Sequence, residues 1–445
     1  MKLTYAKYLF SFVSLLYSFN SFSIEELSFP KIWEQIVIYS PENKYINYMK
    51  MSSDKSIDRQ NLYWLPGLYL NSQLISTNDP TLTFMNYLGE GQVKQDDFIP
   101  SRLNSPSNNV FTSTQAGLDY LIYDGNTRSS YLNAQRHVSK SLEYEKKSEL
   151  MNLYVRALRE YTKILVADEF YRELKDIQNN IDSIINNYRV GEKSNPVGYS
   201  GYLSLKSALN KVLIFKQDCV LNLKNSKIVL NLMAGIDKKD WNNPTITADN
   251  FTSMYFFNPD NSINSYKYLA ELENLSVIRE KINVEEAKYL PKIGVFSQAN
   301  IYSGERDTNT SYTFGLYIKF NLSASDFGSA EEIELLAKSK EEASKIIYLS
   351  QKIINDSSNE NSITIKNKIE LIQKSEEILN EQIKVIGKLF KNGNASVAQI
   401  SELYIKKIDL LANKFSLKNY LYESDLAKVS LSKRSLEPKD IWGIK

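Results

Sequence analysis

Few residues in this chain could do chemistry, and their spacing does not assemble a reaction. There is one histidine and one cysteine. A Ser/His/Asp arrangement would have to use His137. It sits between Arg136 and Val138 near the start of a long helical stretch, where a solvent-facing or interhelical imidazole is expected. Cys219, between Asp218 and Val220 in an apolar-rich helix, reads as a buried, inert thiol. One His and one Cys cannot build a zinc or haem site from these ligands, and one Cys cannot close an internal disulfide. The acidic pairs Glu331-Glu332 and Glu376-Glu377 read as helix-surface charges, and Gly89-Glu90-Gly91 lacks the strand-to-helix context of a phosphate loop. No catalytic, cofactor or metal residue is expected. Lys+Arg is 54 and Asp+Glu 52, so the formal charge of +2 gives no basic field for nucleic acid.

What remains is architecture and address. Lys2 and Lys7 precede the apolar run Tyr8 to Tyr17, and Ser21 and Ser23 follow at the −3 and −1 positions of a cut before Ile24. Residues 1–23 therefore read as a secretory signal peptide. The run is too short to span a hydrocarbon core, which needs roughly 20 apolar residues. No later run is long enough, so any membrane crossing must be made by strands.

Three anchors recur in order, dividing the chain into two tandem repeats. Trp64-Leu65-Pro66 matches Tyr289-Leu290-Pro291. Gly117-Leu118 through Tyr123-Asp124-Gly125 matches Gly315-Leu316 through Asp326-Phe327-Gly328. Tyr188-Arg189-Val190-Gly191 matches Leu389-Phe390-Lys391-Asn392-Gly393. Gly125 and Gly191 are 66 positions apart, Gly328 and Gly393 65. The halves differ between their first two anchors, where the first carries a 27-residue excess within loop 79–110. That loop, with its solvated turn 104–109, is expected outside the cell.

Residues 126–190 contain neither Gly nor Pro and would make a helix of about 95 Å. In 329–392, Ile365, Ile372, Leu379 and Ile386 recur every seven positions, and Ile369, Ile383 and Phe390 fill the second seam position. Glu376 is the polar exception. Such a seam packs the helix lengthwise on another. Helices at 41–63 (Ser40 as N-cap), 202–234, 263–289 and 394–435 complete two long hairpins. The polar stretches near the termini and at 236–262 would meet as a belt around the middle. The repeats thus run 24–235 and 263–435, joined by an equatorial connection at 236–262 and followed by a tail at 436–445.

Strands are expected at 64–76, 111–123, 290–302 and 311–322 from their period of two. Tyr312, Phe314, Leu316, Ile318 and Phe320 take one face, with Thr313, Gly315, Tyr317 and Lys319 opposite. Ile293 and Val295 alternate with Lys292 and Gly294, while Phe296 and Ser297 break the rule. Ile293, Val295, Phe314, Leu316, Ile318 and Phe320 are expected to face lipid. Tyr63, Trp64, Tyr69, Tyr123, Tyr289, Tyr302 and Tyr312 near strand ends suit an interfacial aromatic girdle.

A signal peptide, two halves of helix–strand–strand–long helix–turn–helix, a Leu-Pro before each first strand and an Asp-Gly or Asp-Phe-Gly after each second strand together resemble the TolC-like outer-membrane efflux proteins. The resemblance covers nearly the whole mature chain. It implies a mainly α fold with a small β part: a homotrimer whose four strands per protomer make one 12-stranded barrel in outer-membrane lipid, and whose helical hairpins form an α-barrel across the Gram-negative periplasm. It implies an exit duct for an efflux pump or type I secretion system, working with a periplasmic adaptor and an inner-membrane transporter. It places adaptor-contacting tips at Gly191, Glu192, Lys193 and Ser194 and at Gly393, Asn394, Ala395 and Ser396. It places the periplasmic aperture at Gln399 and Glu402, where family members often carry two acidic residues and this chain keeps one. The tip rather than the barrel would then control opening, with Glu402 of three protomers ringing the axis. The alternative reading is a periplasmic or surface coiled-coil scaffold without a pore.

Overall fold

In the computed structural model, residues 28–187, 196–237, 241–258, 264–321 and 323–438 are described. The expected signal peptide and the first tip, Gly191 to Ser194, lie outside them. In chain order the elements are α1 (Phe29–Tyr39), α2 (Pro41–Gln60), β1 (Gly67–Thr77), α3 (Pro80–Gly89), α4 (Pro100–Asn104), β2 (Asn109–Tyr123), α5 (Thr127–Asn187), α6 (Pro196–Ala234), α7 (Ala248–Tyr255), α8 (Tyr266–Glu286), β3 (Lys292–Ser303), β4 (Thr308–Lys319), α9 (Ser329–Lys391) and α10 (Val397–Val429). The order helix–strand–strand–long helix–helix occurs twice, as the anchors require. Residues group into two compact units: Ile46–Glu145 with Lys267–Ile347, and the remainder.

The first unit holds one antiparallel sheet in the order β1-β2-β3-β4. β1 and β3 each begin immediately after a proline, Pro66 or Pro291, because a ring nitrogen cannot donate to a ladder. They therefore start at 67 and 292 rather than at 64 and 290. β3 and β4 are joined by a tight turn closed by Gly304 N–H donating to Asp307 O at 3.2 Å, so β4 starts at Thr308 rather than 311. The register pairs Leu68 with Leu118, Ala116 with Ala299 and Val295 with Leu316, which puts these residues on one face of the sheet. Beside the sheet, α8 packs Leu275 and Ile278 against Ala337 of α9.

The second unit has two cores. In one, Phe29 and Trp33 of α1 meet Tyr154 and Tyr161 of α5 and Phe251 of α7. The Phe29 ring lies edge-on at 5.2 Å to Phe251 and 5.8 Å to Tyr154, and Trp33 Nε1 donates to Leu436 O at 3.1 Å. The stretches read from sequence as a polar belt thus meet as an aromatic cluster. Helix α1 was not expected at all. Ser40, just after it, caps α2 as read, its Oγ accepting Asn43 N–H at 3.3 Å. In the other core, Phe170, Leu174 and Ile181 of α5 pack with Leu205 and Val212 of α6 and Ile400, Tyr404 and Ile408 of α10. Ile383, Ile386 and Phe390 of the α9 seam close over it. Glu376, the polar seam position, pairs with Lys414 of α10 at 3.0 Å, so its charge is not left alone among apolar neighbours.

Two further seven-residue stripes in this unit stay uncovered. Leu371, Ile378 and Val385 of α9 are 63, 63 and 53% exposed, and Ile214, Leu221 and Ile228 of α6 are 60, 57 and 55% exposed. A single-chain bundle would bury such stripes.

Candidate functional site

The α9–α10 turn is built to reverse the chain in five residues. Gly393 has φ +76, a left-handed conformation natural to glycine. Its N–H donates to Phe390 O at 2.9 Å and Asn394 N–H to Leu389 O at 2.8 Å, which satisfies the last carbonyls of α9. Ser396 then opens α10. Its Oγ accepts Gln399 N–H at 3.3 Å, while Gln399 Oε1 accepts Ser396 N–H at 3.0 Å. Gln399 is thus one half of a capping box. Glu402, one turn on, is exposed and lies 2.8 Å from Lys406 Nζ, which holds its carboxyl below the ordinary glutamate range. Gln399, Glu402 and Lys406 line a cavity of about 800 Å³ together with Glu377, Ile378 and Glu381 of α9.

The sheet has two chemically different faces. On one, Leu68, Leu70, Leu74, Tyr312, Phe314, Leu316 and Ile318 are 66 to 88% exposed. Phe320, just past β4, is 60% exposed, and Ile293 and Val295 are half-buried on the same face. The other face carries Asn71, Gln73, Gln115, Asp119, Gln298 and Thr313. Tyr69 and Tyr317 lie across it, over Gly117 and Gly294, where a Cβ would clash with their rings. Tyr69 OH donates to Gln298 Oε1 at 3.4 Å, and Tyr317 OH to Asp119 Oδ1 at 3.1 Å. Phe296, irregular in the sequence pattern, fills the same kind of space over Gly315. Tyr69 and Tyr302 thus belong to the polar face and leave the expected girdle. Among the described residues, β1 and β4 have no further strand partner. No described helix is long and apolar enough to cross a membrane, and no described group of His, Cys, Asp and Glu is placed to hold a metal.

By sequence, the chain matches no family model and no curated protein. By structure it is similar to CusC, a protein studied for its folding and transmembrane channel formation, with TM-score 0.74 at 11% identity over 92% of this chain and 93% of that one. It is similar to the CmeC outer-membrane channel of Campylobacter jejuni, with TM-score 0.69 at 14% identity over 92% and 87%. The MtrE outer-membrane channel of Neisseria gonorrhoeae gives 0.67 at 12% over 91% and 89%. This chain has the TolC-like channel fold.

In this TolC-like chain, residues 78–108 are not an open loop. Helix α3 turns its polar side inward: Thr83, Asn86 and, just past its end, Glu90 are buried, while Leu82, Met85 and Leu88 are exposed. The segment grips the β3–β4 turn. Glu90 Oε2 accepts the N–H groups of Arg306 and Asp307 at 3.2 and 3.3 Å. The Arg306 guanidinium donates to both carboxylate oxygens of Asp97 at 2.6 and 2.7 Å and lies 3.4 Å from the centre of the Tyr87 ring. Arg306 holds the Asp97 carboxyl down at about 2, while burial works against it. Sequence reasoning missed these residues. Arg306 and Asp97 are 209 positions apart, and the one local signal was the charged turn Gly304-Glu305-Arg306-Asp307.

Proposed function

We propose that this chain is a channel of an outer membrane, built from several copies whose sheets close into one barrel. The observation that carries the reading is a four-stranded sheet with one exposed apolar face, one polar face and two edges that no described strand pairs. Open edges are forbidden in hydrocarbon, and four strands are too few to close, since the smallest barrels need eight. Three copies would supply the twelve strands of a homotrimer. Ile293, Val295, Phe314, Leu316, Ile318 and Phe320 would face lipid, and the Asn-, Gln- and Asp-bearing face would line water. A pore-free scaffold has no use for this sheet.

The finer reading follows the fold. The chain would span the outer membrane and reach into the periplasm, receiving cargo from an inner-membrane transporter through an adaptor. It would be a conduit and not an enzyme. Gly393, Asn394, Ala395 and Ser396 would meet the adaptor together with Gly191, Glu192, Lys193 and Ser194, and Gln399 and Glu402 would border the aperture. Planar-bilayer recording of the purified chain tests the core of this reading. Discrete conductance steps are expected; an assembled complex that inserts without conducting would overturn it.

A further inference from the structure

The segment 78–108 covers the face that, on the channel reading above, lines water. Each strand's side chains alternate, so the face on which a contact falls can be named. Tyr302 and Asn309 lie on the polar face with Gln298 and Tyr317. Gly89 sits against the Tyr302 ring, and Asn309 Nδ2 donates to Gly89 O at 3.2 Å. Asn109 and Phe111 alternate onto the same face at that end and are buried, whereas Asn71 and Gln73, further along it, are exposed. This end carries the β1–β2 and β3–β4 connections, and the opposite end carries the connections to α2, α5, α8 and α9. The fastening is polar: Glu90 on the turn's backbone and Arg306 on Asp97 and the Gln92 carbonyl, the last at 2.8 Å. It is also incomplete. Thr83 Oγ1, Asn86 Oδ1 and both side-chain polar atoms of Asn109 are buried without a hydrogen-bond partner. Unpaired buried groups disfavour the docked state, and opening would hydrate them. A fastening made of a few polar point contacts suits a lid that can lift.

We propose that residues 78–108 form a lid on the outer mouth of the channel, latched by Arg306 on Asp97, so that the polar face of the sheet reaches the exterior when this latch releases. The inference rests on the channel reading and can fail separately from it. The test places a single reporter, Asn71→Cys, on the exposed part of the polar face; the native Cys219 is buried. Intact cells are treated from outside with a bulky, membrane-impermeant maleimide, and labelling is scored on the assembled, heat-modifiable complex. Arg306→Ala, or replacement of residues 81–106 by a short Gly/Ser linker, should speed labelling by at least about tenfold. The exchanged pair Asp97→Arg with Arg306→Asp should return it toward the slow rate. If the intact chain labels as fast as the linker form, the lid is wrong and the channel stands. If Arg306→Ala stays slow while the linker form is fast, the latch is wrong. If the linker form does not label, the polar face does not open outward and the channel reading itself falls.

Discussion

With Lys406 Nζ 2.8 Å from Glu402 Oε1, one helical turn carries both signs at the position read as the aperture. The sequence shows Glu402 as a lone carboxylate, but its field is offset by the lysine four residues on. Lys406→Ala should therefore raise cation preference severalfold, and Glu402→Ala should lower it, as read by reversal potential across a salt gradient. Unchanged potentials in both would place the pair away from the conducting path. At the other functional position, Asp97 has a folded pKa of about 2 against an ordinary 3.8. Its stabilising contribution is complete above 3.8 and is lost as the pH falls toward 2. Proteolysis of the lid segment should thus be equally slow at neutral pH and in mild acid and should quicken only below that range. Asp97→Asn should be cleaved faster throughout. An onset of cleavage near neutrality would implicate a different group.

Two glycines, one in α9 and one in the turn after it, separate conformational need from mere smallness. Neither would bring an added Cβ within 4 Å of another atom, yet Gly393 has φ +76 and Gly387 sits in the regular helix. Gly393→Ala should cost about 1–2 kcal/mol from left-handed backbone strain alone. Gly387→Ala should stabilise by roughly 0.5–1 kcal/mol. Thermal unfolding of the two variants checks the sign of each, and equal shifts would mean the turn does not need glycine. The same helix shows what could be read beforehand. The seam through Leu379 and Ile386, the alternation of Phe314, Leu316 and Ile318, and Gly393 at the turn are local patterns, each set by one period or one dihedral. The lid was not legible for a physical reason. Its helix buries Thr83 and Asn86 and exposes Leu82, Met85 and Leu88, the reverse of the pattern that marks a packed helix. Its fastening also depends on a turn more than 200 residues away. Helix α1 escaped notice because its partners, Tyr154 and Phe251, are more than 100 residues away in sequence.

For the molecule as a whole, two kinds of surface ask for other copies. The edges of β1 and β4 present backbone groups that no described strand pairs, and the stripes on α6 and α9 present exposed apolar residues at seven-residue spacing. Stripes of this kind suit lengthwise packing between helices of neighbouring protomers. Mass measurement in mild detergent should give a closed multiple of the chain, three on the proposed architecture. Ile378→Asp should reduce it toward monomer while helix content by circular dichroism stays unchanged. A monomer already present in the unsubstituted protein in native lipid would overturn the assembly.

The open edges of the sheet also have a genetic meaning. On the proposed assembly each strand edge is completed by another copy, so a defective chain that still pairs its edges is not ignored but built in. A cell expressing the normal gene beside one for such a chain would form mostly mixed rings, and one poor member would spoil each. Lesions that spare both the strand edges and the exposed stripes of α6 and α9 should behave as dominant-negative alleles. Lesions that destroy an edge should be recessive, because those chains never enter a ring.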